Sequence, residues 1–403
     1  MDLALHICNA TTLVLLKYLT FIIQDIILFK IKRLIIMKQP FTPHSLPIKD
    51  LQWDRLIKLV GEANSYLSKY NGALLNIINP SLLLTTFATK EAVLSTRIEG
   101  TQASFEDVLQ KDSNLRKHDE SKLHDVEEIE NCKKALEYGV EDLKNRPLCL
   151  NLIKEIHSIL LDSVRGHNKD RGNFRKIQNF IGFAGATIEQ ATYIPPSPDK
   201  MIIALDEWEK YIHLESEEIL IQLAVIHAQF ETIHPFLDGN GRIGRILIPL
   251  FLYAKDYLSF PAFYMSEYLE LHRSEYYDRL QKTRYERDWQ GWIEFFLRAI
   301  IEQSKISYNR VQKVMDLYDK IKHQALEITQ SKYILQVVDV LFEKPILTSQ
   351  DVRNKIKDID NVATLRILNR FSDSKILKKN AGSGTKPSSY EFIELLDIVN
   401  NKS

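Results

Sequence analysis

At 403 residues the chain exceeds what one hydrophobic core usually serves, so two or three domains are expected. Apolar residues at 45% against 26% charged exclude a largely disordered chain, and 53 Lys and Arg balanced by 53 Asp and Glu leave no global field to draw in nucleic acid or acidic lipid. Three scattered cysteines, Cys8, Cys132 and Cys149, form neither a disulfide framework nor a cysteine-rich zinc site, and fit a reducing, cytoplasmic compartment.

Residues 1–36 are far more apolar than the rest of the chain, but Lys17, Gln24 and Asp25 interrupt them, and a spanning helix wants about 20 nearly unbroken apolar residues. A signal peptide wants basic residues where Asp2 stands. The segment reads as an extension ahead of a natural start at Met37, with a membrane-associated segment as the alternative. From 46 to 77, Leu51, Leu56, Leu59, Val60, Ala63 and Leu67 recur at three- and four-residue spacing and predict an amphipathic helix. Over 88–110 one helix should stop near Gly100 and another begin after Thr101 or Ser104, whose hydroxyl can cap exposed N–H groups.

Residues 122–165 are again helical in pattern, with a stripe of Leu152, Ile153, Ile156, Ile159 and Leu160. FRKIQNFIGFAGATIEQATYIPPSP (174–198) is rich in Gly, Thr and aromatic residues and closes on prolines, which predicts loop and a short hairpin. Helical patterns resume over 199–233, 245–257, 264–282 and 287–325, so this part is mainly α with one hairpin. Beyond 328 a smaller unit begins. Thr348 or Ser349 caps a short helix, a second helix comes after the Asn361 region, and a two-stranded wing is expected around Gly382 and Gly384, giving a winged helix-turn-helix.

The chemistry concentrates in HPFLDGNGRIGR, residues 234–245. Gly239 and Gly241 let the backbone curl around an anion, and amides running into a helix N-terminus make a phosphate nest. Asp238 beside that nest makes sense if a divalent cation sits between acid and phosphates. Arg242 and Arg245 lie three apart on the next helix, with the planar fork that suits phosphate oxygens. His234 can take a proton from an incoming hydroxyl. Each part alone is ordinary: a His before Pro is commonly structural, and DGNG alone is a tight turn. Together they describe nucleotidyl or phosphoryl transfer to an alcohol.

The stretch resembles the core motif of Fic-domain proteins, His-x-Phe-x-Asp/Glu-Gly-Asn-Gly-Arg-x-x-Arg, at His234, Phe236, Asp238, Gly239, Asn240, Gly241, Arg242 and Arg245. The likeness extends through KEAVLSTRIEGTQAS, VRGHNKDRGNFRKIQ, ATYIPPSP, YMSEYLELHRSEYYDRL and WQGWIEFFLRAI, covering about residues 40–305. It implies a mainly α helical bundle with a β-hairpin flap over 177–194 and a trailing winged helix. The implied activity is transfer of AMP from ATP, with Mg²⁺, to a Ser, Thr or Tyr hydroxyl of a target protein. On that resemblance His234 is the general base, Asp238 holds the metal, Gly239, Asn240 and Gly241 cradle phosphates, and Arg242 and Arg245 grip the polyphosphate. Phe236 anchors the loop in the core. Ile188 and Tyr193 on the flap, and His272 and Arg273, are candidates for target or nucleotide contacts. The family commonly has Asn where this chain has His272, which leaves the choice of nucleotide less fixed than the reaction class.

STRIEG at 95–100 resembles the family's inhibitory motif through Ser95, Glu99 and Gly100. Ser95 and Glu99 stand one helical turn apart, so Glu99 can pair with Arg245 and occupy the cation that the γ-phosphate needs. The same acid, in a Mg²⁺-loaded site without ATP, can position water to remove AMP. The expected division is an extension at 1–36, an N-terminal helical region with the inhibitory helix at 40–120, a catalytic core at 121–325 and a winged helix at 328–403. Self-modification and a homodimer are compatible with this reading. The rivals are a nucleotide-sensing regulator that binds DNA through Arg366 and Arg370, and the same enzyme with another phosphate-linked donor.

Overall fold

The computed structural model describes residues 39–400, apart from 78–80, 113–119, 163–169, 184, 216–217 and 383–386. The expectations for 1–36 and for Gly384 fall outside the described residues. The fold is mainly α, with one small three-stranded sheet near the C-terminus.

Helix α1 (Trp53–Leu75) buries Leu56, Ala63 and Leu67 of the predicted stripe, and Tyr70 and Leu74 besides, along the 40-residue helix that comes after the core, while Leu59 and Val60 are half-buried and Leu51 precedes the helix. Helix α2 (Ser81–Ile98) ends in a turn at Glu99 and Gly100, where Gly100 has φ 108°. Ser104 then starts α3 (Phe105–Asp112): its hydroxyl accepts from the Asp107 N–H at 3.1 Å, and Asp107 accepts from the Ser104 N–H at 3.0 Å.

The single helical stretch read over 122–165 is two helices, α4 (Glu120–Asp142) and α5 (Leu150–Leu160). Pro147 lies in the break, where a residue without an N–H cannot continue a helix. The stretch 199–233 likewise divides into α6 (Pro198–Ile212) and α7 (Ile219–Ile233), because Glu218 caps a fresh N-terminus by accepting from the Ile221 N–H at 2.9 Å. Helix α8 (Asn240–Ala254) carries the second half of the motif. The 264–282 stretch breaks at His272 into α9 (Ser266–Leu271) and α10 (Arg273–Glu286), and α11 (Trp289–Ile328) closes the bundle.

Helix α7 is the axis of the bundle. Every residue from Leu220 to Ile233 is buried, as expected of a helix apolar nearly all round. Its two glutamines find acceptors inside: Gln222 donates to the carbonyls of Tyr211 and Leu214, and Gln229 to that of His44.

The expected flap hairpin is reduced to a single antiparallel bridge, Ile181 to Tyr193. Among the described residues, part of the intervening backbone bonds locally instead of across the flap. Thr187 and Gln190 close a capping box around the short 3₁₀ turn Ile188–Gln190, and the Ala191 N–H returns to the Ile188 carbonyl.

The C-terminal unit runs α12 (Ile334–Glu343), β1 (Ile346–Thr348), α13 (Ser349–Lys355), α14 (Asn361–Asp373), β2 (Lys378–Asn380), β3 (Ser389–Glu391) and α15 (Ile393–Asn400). The sheet is antiparallel in order β1–β3–β2, with Tyr390 opposite both Leu347 and Lys379. The third strand, Ile346–Thr348, is buried throughout and too short to show alternation, which is why the sequence suggests only two. Thr348 caps α13 with Asp351, as expected. This unit is docked on α2: Thr86 donates to the Phe342 and Glu343 carbonyls, and the Lys90 ammonium to the Val399 carbonyl at 2.5 Å.

Candidate active site

The motif straddles the junction of α7 and α8. His234 caps α7 in the left-handed conformation, φ 50°, with its N–H on the Phe230 carbonyl at 2.9 Å. This twist turns the chain out of the helix and into the cleft. Burial, then repulsion from Arg284, pushes the His234 imidazole down to about 4, so the ring is neutral across the physiological range. Its Nδ1 is buried with no hydrogen-bond partner among the described residues.

The loop between the helices is held from inside. Phe236 is fully buried and stacks on His157 with ring centroids 3.7 Å apart. The Asn240 side chain bonds both ways to Phe236, accepting from its N–H and donating to its carbonyl, each at 2.9 Å. Asn240 is therefore committed to shaping the loop, and only its backbone N–H is left for the phosphate cradle expected of it. Gly239, at φ 76°, is the N-cap of α8, and a Cβ there would crowd Leu160.

Asp238 is the solvent-facing acid of the loop, 43% exposed, with Oδ1 accepting from the Gly239 N–H at 2.6 Å and from Arg242 at 3.4 Å. Among the described residues no group of three His, Cys, Asp or Glu forms an all-protein metal cage. One exposed carboxylate beside an anion cradle is a donor set that suits Mg²⁺, which takes one or two carboxylates and completes its shell with phosphate and water.

The two motif arginines diverge. Arg242 turns toward α4, reaching Glu128 at 3.5 Å, and its Nε is buried without a partner among the described residues. Arg245 is buried and points to α2: Nε donates to Ser95 Oγ at 2.8 Å, and Nη2 donates to the Ser95 carbonyl at 2.9 Å and to Glu99 Oε1 at 2.6 Å. Burial would raise the Glu99 carboxyl, but the Arg245 charge and hydrogen bond, with Arg242 and His234 behind them, hold it below its ordinary range. The carboxylate also lies against Gly241, where a Cβ would have to displace it. Glu99 thus sits over the first turn of α8, whose amides have no helical acceptor.

Other expected contacts sort less evenly. Tyr193 is not a cleft contact: it is fully buried, its hydroxyl donates to the Thr232 carbonyl at 2.6 Å, and Arg284 lies 3.8 Å over its ring, so it anchors the base of the flap. Ile188 is exposed at the flap tip, as is Phe183, at 64%. His272 joins α9 to α10 and stacks on Tyr268 at 4.2 Å, while exposed Arg273 lies 5.9 Å over the Tyr277 ring.

Three residues that build the site went unread in the sequence. Arg175, 1% exposed, donates to the carbonyls of Ile233, His234, Ile177 and Pro196, tying the α7 terminus to the flap base. His157 accepts from the Gly172 N–H at its Nδ1, so its Nε2 carries the hydrogen and donates to the Asp238 carbonyl at 3.1 Å. Its place on the apolar Ile153, Ile156, Leu160 face of α5 was the available signal. Glu231, buried with Oε1 unpartnered among the described residues, lies against Gly244, where a Cβ would have to displace its carboxylate, and burial raises its carboxyl to about 7.

Residues 147–252, from the approach to α5 almost to the end of α8, match the Fic/DOC family, and residues 57–141 match the Fic/DOC family N-terminal region. The chain carries a Fic/DOC-family domain. Among curated relatives it is similar to Protein adenylyltransferase Fic of Culex quinquefasciatus, 29% identical over 181 residues, or 43% of this chain and 30% of that one. The corresponding protein of Drosophila melanogaster is 26% identical over 188 residues, or 44% and 33%. The match therefore spans about a third of these relatives' length.

The bundle also resembles a Fic family protein of Desulfovibrio desulfuricans G20, with TM-score 0.53 and 17% identity over 88% of this chain and 98% of that one. A Fic domain containing signaling protein of Bacteroides thetaiotaomicron gives TM-score 0.51 and 18% identity over 62% and 97%. The first of these likenesses extends past the Fic domain into the C-terminal unit. The helix that carries Ser95 lies within the Fic N-terminal match, and His234 through Arg245 lie within the Fic match.

Proposed function

We propose that this protein transfers AMP from ATP to a Ser, Thr or Tyr hydroxyl of a target protein, itself included, and that Glu99 holds it in a restrained state. The single observation that carries the reading is the Glu99 carboxylate seated on Arg245 and over the first turn of α8, with the neutral His234 at the end of α7. A polyphosphate would replace that carboxylate on the same donors.

In the reaction the target hydroxyl oxygen attacks the α-phosphorus, the bond from that phosphorus to the bridging oxygen breaks, and pyrophosphate leaves with the electron pair. His234 takes the hydroxyl proton. The amides of α8 and Arg245 stabilise charge gathering on the transferring and leaving groups, donors fixed in place before the reaction. Asp238 would hold Mg²⁺, which supplies Lewis-acid stabilisation of the phosphates when bound. The flap, with Phe183 and Ile188 exposed and its backbone bridged at Ile181 and Tyr193, offers a surface on which an extended target segment could lie beside the cleft.

The element order from α12 to α15 supports a winged-helix reading of residues 328–403, and on the transferase reading 40–120 is the restraining region and 121–325 the catalytic core. A scaffolding role suits the winged helix better than duplex readout. Arg370, one of two arginines expected to face DNA, instead donates to the Ile328 carbonyl at 2.8 Å.

The test compares wild type, Glu99→Gly and Glu99→Gly/Arg245→Ala in initial rates and intact mass with Mg·ATP. Glu99→Gly should be faster, with covalent gain of one AMP unit on protein, and Arg245→Ala should erase the gain. A Glu99→Gly protein no faster than wild type at any ATP concentration sinks the restraint. Adducts formed only from another nucleotide sink ATP as donor.

A further inference from the structure

Ser95 is grouped with Glu99 by its place in the motif, but the hydrogen bonds divide the two residues. Of the three hydrogen bonds that the Arg245 guanidinium makes among the described residues, two belong to Ser95, one through its hydroxyl and one through its carbonyl. Ser95 is 1% exposed, whereas the Glu99 side chain is 39% exposed. Glu99 has room to leave; Ser95 does not.

The backbone of α2 is arranged for this. At the last turn the Glu99 N–H bonds to the Thr96 carbonyl at 3.0 Å, and Thr101 shares the same acceptor at 3.3 Å. The tightened turn leaves the Ser95 carbonyl as one of the orphan acceptors of a helix C-terminus, and Arg245 takes it up. A guanidinium gripped along its Nε edge has its plane fixed, and its pre-organised fork loses less freedom when it meets phosphate. The chemistry of the two grips also differs. A hydroxyl and a carbonyl hold the fork while leaving its charge intact, whereas the Glu99 carboxylate neutralises it.

We propose that Ser95 is a positioning residue for nucleotide binding, whose hydroxyl and main-chain oxygen aim the Arg245 fork at the polyphosphate once Glu99 has left. Helix α2 then builds the site as well as blocking it. This deepens the transferase reading and rests on it.

The experiment uses the full chain and measures initial rates over a Mg·ATP titration, with calorimetric Mg·ATP affinity and thermal midpoints for the same samples. The variants are Ser95→Ala, Glu99→Gly, Glu99→Gly/Ser95→Ala and Glu99→Gly/Ser95→Thr. Adding Ser95→Ala to Glu99→Gly should raise KM for Mg·ATP about tenfold, the worth of one hydrogen bond to a charged group, with a smaller change in kcat. Thr should restore the KM. Ser95→Ala alone should not speed the enzyme. Activation by Ser95→Ala comparable to that by Glu99→Gly overturns the proposal, since Ser95 would then only restrain. Unchanged KM and affinity in the double variant overturn it as well, and so does a lowered thermal midpoint that Thr leaves uncorrected together with KM. If Glu99→Gly is itself inactive, the transferase reading fails, and Mg·ATP affinity still decides Ser95: equal binding with Ser and Ala overturns it.

Discussion

The left-handed turn at His234 takes a side chain from the most buried helix of the molecule and leaves it at the cleft with a depressed pKa. Two outcomes are expected for transfer by Glu99→Gly protein. The acid limb of kcat/KM, which reports the free enzyme, should lie well below the ordinary histidine value of 6.5, leaving the profile flat down to about pH 5. A midpoint near 6.5 would mean that another group, or a hydrated His234, carries the proton. Second, His234→Ala should lower kcat by about 10² to 10⁴ while Mg·ATP affinity stays nearly constant, because a base acts in the transition state. Calorimetry and turnover on one sample check it, and an affinity loss as large as the rate loss would refute the assignment. The motif residues were legible because they sit at fixed spacing on one loop. Arg175, Glu231 and the loop-shaping commitment of Asn240 were not, since each depends on carbonyls or backbone brought close by the fold rather than by spacing.

At the scale of elements, α2 is held from two sides. Its Ser95 end meets Arg245, and its middle is fastened by Lys90 to Glu267 at 2.9 Å and to the Val399 carbonyl, while Glu267 is also gripped by Arg310 at 2.8 Å. Lys90→Met should loosen the seat of α2 and raise transfer in otherwise wild-type protein, up to about tenfold, the limit set by a charge-assisted contact. In Glu99→Gly protein the same change should give no gain. Rates for this pair of backgrounds decide it, and equal losses in both would reduce Lys90 to a support for stability. Helix existence was readable from the three- and four-residue spacing of apolar positions, as in α1 and α5. Breaks at Glu218 and His272 were not, because neither residue type forbids a helix and the interruption is imposed by neighbouring packing and capping. The flap failed differently: its composition is that of a hairpin, but a local capping box took up some of the backbone groups that a ladder would need.

For the whole molecule, buried titratable groups predict the shape of stability against pH. Glu91 and Glu231, raised by burial to about 7 from an ordinary 4.5, bind protons more tightly folded than unfolded, so their contribution falls as pH rises through that window. His157, His227 and His234, lowered by burial to about 4, 3 and 4 from 6.5, act in the opposite sense, and stability is lost as pH falls below 6.5. Between 4.5 and 6.5 the two sets oppose each other. Below 4.5 the carboxyls are protonated in both states, the histidines act unopposed, and the lowered Glu99 and Glu267 add to the loss. Three histidines outweigh two carboxyls, so urea midpoints should fall gently from pH 6.5 to 4.5 and drop more steeply below. Glu91→Gln should gain on wild type as pH rises from 4.5 to 7, and a constant difference would show that Glu91 stays ionised.

The hydrogen bond from Lys90 to Val399 joins residues 309 positions apart. During synthesis α2 is made early, and the helices that complete the cleft, through Glu286, are made long before Val399. The helix that carries Ser95 thus gains this anchor only when the last turn of α15 has been made, so the cleft can assemble on a growing chain before its restraining helix is fully fastened.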